Sequence, residues 1–75
     1  MTYAEQIALL KNCSSSEEFL AKCEYRRGRE SAREDIANGQ PNLAEQYPYF
    51  AELLGKEYAR GYNEYYHAWE VLNAQ

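Results

Sequence analysis

The chain has 75 residues, of which 45% are hydrophobic and 15% aromatic, and eight of them are tyrosines. A chain of this length builds one core that is only marginally sufficient, so we expect residues 1–75 to form a single small helical domain with close packing or a partner. The formal net charge of −4 argues against a uniformly basic nucleic-acid-binding surface. The twelve acidic and eight basic residues are interspersed, which favours an ordinary solvated surface over an acidic DNA mimic.

The N-terminal sequence and the hydrophobic runs predict a cytoplasmic protein. No apolar run approaches the roughly 20 residues that a membrane span needs, so no membrane partner is expected. No basic region precedes the short apolar stretch near the N-terminus, which argues against a signal peptide. Cys13 and Cys23 could bridge only in an oxidising compartment, and their spacing fits no metal pattern. We therefore expect two buried, reduced thiols.

The first predicted helix is short and runs from Tyr3 to Lys11. A serine-rich segment at residues 12–16 interrupts it and leads into two glutamates. A serine followed three residues later by a glutamate can form a capping box, which marks a helix start. Two registers are open, Ser14 with Glu17 or Ser15 with Glu18. Either one places the start of a second helix near Ser16.

The second predicted helix ends at Asn38. Gly39 supplies the left-handed backbone conformation that commonly ends a helix, and Pro41 cannot continue it. A short helical turn is expected at Leu43 to Gln46. The segment around Gly39 and Pro41 is the clearest break in the chain.

The third predicted helix starts at Pro48, which suits a first helical position, and continues to about Asn73. Apolar residues recur along it at spacings of three and four, as expected for a helix that packs on a neighbour: Phe50, Leu54, Tyr58, Gly61, Tyr65, Ala68 and Leu72, flanked by Tyr62 and Trp69. The second helix carries a thinner stripe of the same kind: Ala21, Tyr25, Gly28, Ala32 and Ile36. These patterns predict an all-α fold, an antiparallel helical hairpin with a short N-terminal third helix.

A short element occurs twice, as Tyr25-Arg26-Arg27-Gly28 and as Tyr58-Ala59-Arg60-Gly61. Each glycine lies mid-helix on an apolar stripe, where it costs about 1 kcal/mol relative to alanine. Close helix approach would compensate, with the tyrosine of one helix over the glycine of the other. Duplication and similar packing demands are both open as origins of the repeat.

The second copy has a wider context: Pro48-Tyr49, then Tyr58-x-x-Gly61-Tyr62, then Ala68. This layout resembles the ribosome modulation factor family of small bacterial proteins, with Tyr25 and Gly28 matching the first aromatic-glycine element. The resemblance implies binding to the small ribosomal subunit and a role in hibernation or translational down-regulation. Because that family is basic and this chain is acidic, a shared architecture with a different partner is the other interpretation.

No residue pattern indicates catalysis, a metal site or a cofactor site. The chain has no Ser-His-acid set, no phosphate-cradling glycine loop and no metal-ligand spacing. The single histidine, His67, is expected to be an exposed helical residue. We therefore predict a protein that is not an enzyme and needs no cofactor.

Four basic residues with spacings of four, three and four lie on one side of the second helix: Lys22, Arg26, Arg29 and Arg33. Such a stripe can bind phosphates or an acidic protein patch. The alternative is a set of surface ion pairs worth a few tenths of a kcal/mol each. The pairs in question join Arg26 and Arg33 to Glu30, and Arg29 to Glu34.

The aromatic end of the third helix is the other candidate contact surface, because the short first helix is expected to leave Tyr62, Tyr66 and Trp69 partly exposed. The leading interpretation is a small inhibitor or adaptor, of the kind that phages and mobile elements encode, that binds a protein partner. A regulator that binds the small ribosomal subunit or its RNA is the alternative. A homodimer that completes its core through the third helix is a third hypothesis.

Overall fold

The structure, a computed structural model, describes residues 2–74. It contains five helices in that range and no β-strand: α1 (Tyr3–Lys11), α2 (Ser16–Ala37), α3 (Leu43–Gln46), α4 (Phe50–Leu54) and α5 (Lys56–Asn73). The predicted all-α class is therefore confirmed. None of the helices in residues 2–74 combines the length and the apolar character that a membrane span requires.

The start of α2 follows one of the two predicted registers. Ser15 is the N-cap, and its hydroxyl accepts the Glu18 backbone N–H at 3.2 Å. The Glu18 carboxylate accepts the backbone N–H and the hydroxyl of Ser14, at 3.0 and 2.7 Å. The pairing of Ser15 with Glu18 is thus the correct one, although the carboxylate reaches one residue beyond the cap. At the other end, α2 stops before Gly39, whose φ of 73° is the predicted left-handed conformation.

The prediction of one continuous third helix is wrong. Pro48 lies in a turn before α4, and the chain breaks at Gly55, which has φ 103° and ψ 148°. The break lets Phe50 of α4 pack its ring on Tyr58 and Tyr62 of α5, with centroid distances of 6.1 and 5.0 Å. In a straight helix the rise of about 1.5 Å per residue would put Phe50 roughly 18 Å from Tyr62 along the axis. The contact therefore requires the break.

The two repeated elements meet where α2 crosses α5. A Cβ atom on Gly28 would overlap the carbonyl oxygen of Tyr58 and lie 2.9 Å from the backbone nitrogen of Tyr62. A Cβ atom on Gly61 would overlap the carbonyl oxygen of Tyr25 in the same way. Each glycine therefore admits the tyrosine backbone of the opposite element, which confirms the predicted close approach. The antiparallel orientation of the two helices stays a prediction.

The core lies on one side of this crossing and contains four buried hydrophobic residues: Ala32, Phe50, Tyr62 and Tyr66. The expectation that Tyr62 and Tyr66 are partly exposed is wrong, since their exposed fractions are 0% and 8%. The buried face of α5 is rotated from the predicted stripe because Phe50 and the loop after α2 cover its Tyr62–Tyr66 side. Leu54 and Leu72, which belong to the predicted stripe, are 47% and 71% exposed.

The two buried tyrosines keep their hydroxyl groups hydrogen-bonded. Tyr62 donates to Asp35 Oδ2 at 2.5 Å, and Tyr66 donates to the Gln40 carbonyl at 2.5 Å. Burial, followed by the hydrogen bond to Asp35, raises the pKa of Tyr62 well above its ordinary range. Both hydroxyls thus tie α5 to the C-terminal end of α2 and to the loop that follows it.

The short helix α3 is held against α5 by polar side chains. The buried Asn42 caps α3 with its Oδ1, which accepts the N–H groups of Ala44 and Glu45 at 3.0 and 3.2 Å. Its Nδ2 donates to Asn63 Oδ1 at 3.1 Å. His67 is half-exposed, as expected, and its Nε2 lies 2.7 Å from Glu45 Oε1. The loop between α2 and α4 is therefore fixed to the core.

Candidate partner-binding groove

An open groove lies where the C-terminal half of α5 runs along the middle of α2. Its volume is about 350 Å³, and seven side chains from the two helices line it: Tyr25, Arg29, Glu64, Tyr65, Ala68, Trp69 and Leu72. On α5 these residues follow spacings of three and four, which places them on one face. The C-terminal residues of the predicted stripe, Tyr65, Ala68 and Leu72, therefore line a groove, while Phe50 and Tyr58 pack in the core.

Arg29 occupies one end of the groove between two aromatic rings. Its guanidinium carbon lies 5.9 Å from the ring centroid of Tyr25 and 5.7 Å from that of Tyr65. Cation–π contacts of this kind hold a guanidinium in place without neutralising its charge. Within residues 2–74 the Arg29 guanidinium makes no ion pair and no hydrogen bond. The groove therefore presents a positioned cation.

Tyr25 is held by polar contacts to α5. Its hydroxyl donates to the Glu64 carboxylate, and this hydrogen bond raises the pKa of Tyr25. The guanidinium of Arg60 lies 4.4 Å from the centre of the same ring. Arg60 also bonds Glu57, with Nη2 to Oε2 at 2.7 Å, and this bond raises the Arg60 pKa. The Tyr25 wall of the groove is thus rigidly attached to α5.

Trp69 forms the opposite wall. Its ring meets the buried ring of Tyr66 edge-on at a centroid distance of 5.9 Å, yet 39% of the residue is exposed. Leu72, one turn further on, is 71% exposed. Large exposed apolar side chains beside an ordered aromatic residue are typical of protein interfaces.

A second, more polar recess adjoins the groove and shares two residues with it. Its volume is about 260 Å³, and Glu5, Arg26, Arg29, Glu30, Arg33 and Tyr65 line it. Arg26 pairs with Glu5 of α1, with Nη1 to Oε2 at 3.6 Å. Arg33 makes no ion pair with any residue in the range 2–74. Groove and recess together place three of the predicted basic residues on one continuous surface.

The alternative interpretation of the basic stripe, a set of surface ion pairs, applies to Arg26 through Glu5 of α1 and not through the partner predicted within α2. In residues 2–74 none of the three predicted pairs forms within 4.0 Å, namely Arg26 with Glu30, Arg29 with Glu34 and Arg33 with Glu30. Lys22 behaves differently, since its Nζ lies 3.3 Å from Glu18 Oε1. Lys22 lines neither the groove nor the recess, so the basic surface begins at Arg26.

Of the predicted aromatic residues, only Trp69 reaches the groove, while Tyr62 and Tyr66 lie in the core behind it. Tyr25 and Tyr65 line the groove, although their spacing had assigned them to the packing stripes. The sequence carries a signal for their role, because Tyr25 stands four residues before Arg29 and Tyr65 four residues before Trp69. That signal identifies shared helix faces but does not show which face stays open.

Another apolar recess, of about 240 Å³, lies on α4 and the turn before it. Tyr47, Tyr49, Phe50, Leu53 and Leu54 line it, and none of these carries a charge. The groove between α2 and α5 differs because it combines apolar walls with a positioned cation. In residues 2–74 no group of three His, Cys, Asp or Glu residues is arranged to hold a metal ion, and Cys13 and Cys23 are half-buried free thiols.

Comparisons of the chain with protein-family models, with curated proteins and with solved structures find no match.

Proposed function

We propose that this chain is a non-catalytic binding protein, a small inhibitor or adaptor that docks on a larger protein partner through the groove between α2 and α5. The observation that carries the proposal is the exposed Trp69–Leu72 edge beside the ring-flanked Arg29. Aromatic and arginine side chains dominate the energetics of protein interfaces. The predicted antiparallel pair of α2 and α5 is the frame of this surface.

The size of the chain supports the same proposal. A domain of 75 residues has a small core, and here only five hydrophobic residues in the range 2–74 are buried. Ten large hydrophobic residues of that range are exposed, Leu72 and Trp69 among them. Covering part of this surface with a partner removes apolar area from water, at about 25 cal/mol per Å². Phage and mobile-element inhibitors are the class of protein we assign it to.

The test compares capture of a protein partner from the source cells by the wild-type chain and by the Trp69→Ala and Leu72→Ala variants. Loss of an anchor at an interface typically costs about 2 kcal/mol, so we expect roughly 30-fold weaker binding of the captured protein. Leu20→Ala is the matched control, since Leu20 is 59% exposed but lies outside the groove. Equal capture by all four proteins would remove the groove from the proposal.

A second candidate function is regulation of translation by binding the small ribosomal subunit, as the resemblance to ribosome modulation factors implies. The continuous surface of Arg26, Arg29 and Arg33 favours it, because neighbouring guanidiniums suit phosphate groups. Co-sedimentation with small subunits should weaken steeply with salt and with Arg26→Glu plus Arg29→Glu. Binding that survives both charge reversals would exclude this candidate.

Self-association is the remaining hypothesis, and the concentration dependence of the melting temperature distinguishes it from the other two. A dimer that completes its core through α5 should melt at a temperature that rises with protein concentration. A melting temperature that is constant from micromolar to millimolar concentration would exclude a dimer.

A further inference from the structure

At one end of the groove, the Arg29 guanidinium makes no ion pair with any residue in the range 2–74. A guanidinium has five N–H donors in its plane, whereas the flanking rings of Tyr25 and Tyr65 offer only their faces. In the range 2–74 the Arg29 guanidinium donates no hydrogen bond, and Arg33, in the adjoining recess, makes no ion pair. Two arginines therefore face the same region with their donors available. A carboxylate accepts such donors two at a time and in plane.

The other end of the groove presents an apolar surface. Ala68, Trp69 and Leu72 form its walls, and Leu72 is 71% exposed. A large apolar side chain suits this end, because these three side chains offer almost entirely apolar surface and two of them are exposed. A short segment that fills the groove therefore needs an acidic side chain for one end and an apolar side chain for the other.

The volumes indicate how much of a partner enters. The groove and the recess measure about 350 and 260 Å³, at or below the lower end of ligand-pocket volumes, which suits a few side chains.

The charge of the chain indicates how many anionic groups of a ligand this surface tolerates. With a net charge of −4, and with Glu5, Glu30 and Glu64 lining the same surface, a polyphosphate would meet carboxylates as well as arginines. A segment with one or two carboxylates brings less negative charge to this surface than a polyphosphate does.

We infer that the groove binds a short segment of a partner protein in which one or two carboxylate side chains stand beside a large apolar side chain. The carboxylates pair with Arg29 and Arg33, and the apolar side chain lies against Trp69 and Leu72. This inference rests on the protein-binding function proposed above and adds the chemistry of the segment that is recognised.

The experiment is a selection of peptides from a displayed random library on the intact chain, with counter-selection against the Arg29→Glu, Arg33→Glu double variant. We expect Asp or Glu to be enriched within about four positions of Leu, Phe or Trp. Enrichment of apolar residues without acidic ones, or of Lys and Arg, would overturn the inference. A selection that yields no groove-dependent peptide would overturn it as well.

The best selected peptide is then titrated beside its analogue in which Asn and Gln replace Asp and Glu. Trp69 is the single tryptophan of the chain, so its fluorescence reports occupancy of the groove directly. We expect the amide analogue to bind at least ten-fold more weakly to the wild type. That difference should vanish in the Arg29→Gln, Arg33→Gln variant and persist in Arg27→Gln, Lys56→Gln, which has the same change of charge elsewhere. Equal affinities of acid and amide peptides would overturn the inference.

Two further probes separate other occupants from the proposed one. An oligouridine that changes Trp69 fluorescence at lower concentration than any selected peptide would overturn the inference in favour of a nucleic acid. A change of Trp69 fluorescence with protein concentration alone, reversed by the peptide, would assign the groove to a second copy. Failure of the peptide arm together with Trp69-dependent capture of a cellular protein would leave the proposed function standing without the acidic segment.

Discussion

At the scale of single residues, four of the eight tyrosines form two pairs with different roles. Tyr62 and Tyr66 fill the core, and each donates its hydroxyl proton to an acceptor near the end of α2. Tyr25 and Tyr65 instead place their rings around Arg29. A ring with a polar tip can do both, because its body is apolar and only its end needs a partner.

We predict that Tyr62→Phe destabilises the fold by about 1.5–3 kcal/mol, because it leaves the half-buried Asp35 carboxylate without its donor. Tyr66→Phe removes a bond to a neutral carbonyl and should cost about 1 kcal/mol. Urea unfolding followed by circular dichroism measures both. Tyr3→Phe is the control, since Tyr3 is 78% exposed, and it should change nothing. A larger loss for Tyr66→Phe than for Tyr62→Phe would contradict this ranking.

At the scale of helices, the charge of the Glu18 carboxylate stabilises the first turn of α2. The hydroxyl and backbone N–H of Ser14, and then Lys22, lower the pKa of Glu18 to about 2 from an ordinary 4.5. A lowered pKa in the folded state means that folding favours the carboxylate. The stabilisation is therefore complete above pH 4.5 and is lost as the pH falls towards about 2.

We predict that the melting temperature of the wild-type chain falls across that window and that Glu18→Gln makes the decline shallower. The amide has no charge to lose, so the variant is less stable at neutral pH and approaches the wild type near pH 2. Glu17→Gln is the matched control, because it removes the adjacent first-turn charge but leaves the bonds between Glu18 and Ser14. Parallel curves for wild type and Glu18→Gln would show that ionisation of Glu18 does not contribute to the stability of the fold.

The break between α4 and α5 also belongs to this scale. Gly55 has a φ of 103°, a conformation that side-chain-bearing residues rarely adopt, and space is available beside it. The nearest atom to a Cβ there would be Glu24 Oε2, at an ordinary contact distance of 3.4 Å. Glycine is thus required at this position by the backbone conformation, in contrast to Gly28 and Gly61, where it is required by space.

At the scale of the whole molecule, the crossing of α2 and α5 determines the fold. The repeated Tyr-x-x-Gly elements pack reciprocally there, each glycine against the tyrosine backbone of the other element. Similar packing demand is therefore sufficient to explain the repeat, whether or not it arose by duplication. The same crossing leaves the C-terminal half of α5 partly uncovered, which creates the groove.

We predict that Gly28→Ala and Gly61→Ala each destabilise the fold by about 1–3 kcal/mol, because the added methyl group overlaps a backbone carbonyl that cannot move alone. Helix propensity by itself predicts the opposite sign, a gain of about 1 kcal/mol. The sign of the change in unfolding free energy, measured by chemical unfolding, therefore distinguishes steric overlap from helix propensity. Because both glycines face one crossing, the double variant should lose less than the sum of the single losses. A gain in either single variant would exclude the close approach.

The sequence by itself determined the elements whose ends depend on neighbouring residues. The start of α2 and its end close to Gly39 were predicted because the serine-glutamate pair and Gly39 act within a few positions along the chain. The close helix approach at Gly28 and Gly61 was predicted for a related reason, since each glycine costs stability within its own helix and so requires compensation. Helical spacing also grouped Arg29 with the other basic residues of α2 and Trp69 with the aromatic residues of α5.

Only the tertiary structure decided which glycine breaks a helix and which tyrosines are buried. Gly55 and Gly61 look alike in sequence, but Phe50 can reach Tyr62 only if the chain turns at Gly55. That turn brings Phe50 over Tyr62. The face of α5 that was predicted to be exposed is therefore part of the core. The groove depends on the same long-range packing, because Arg29 and Trp69 lie 40 positions apart and the crossing of α2 over α5 brings them together. Spacing along a helix cannot report such contacts, since they are set by where two helices meet.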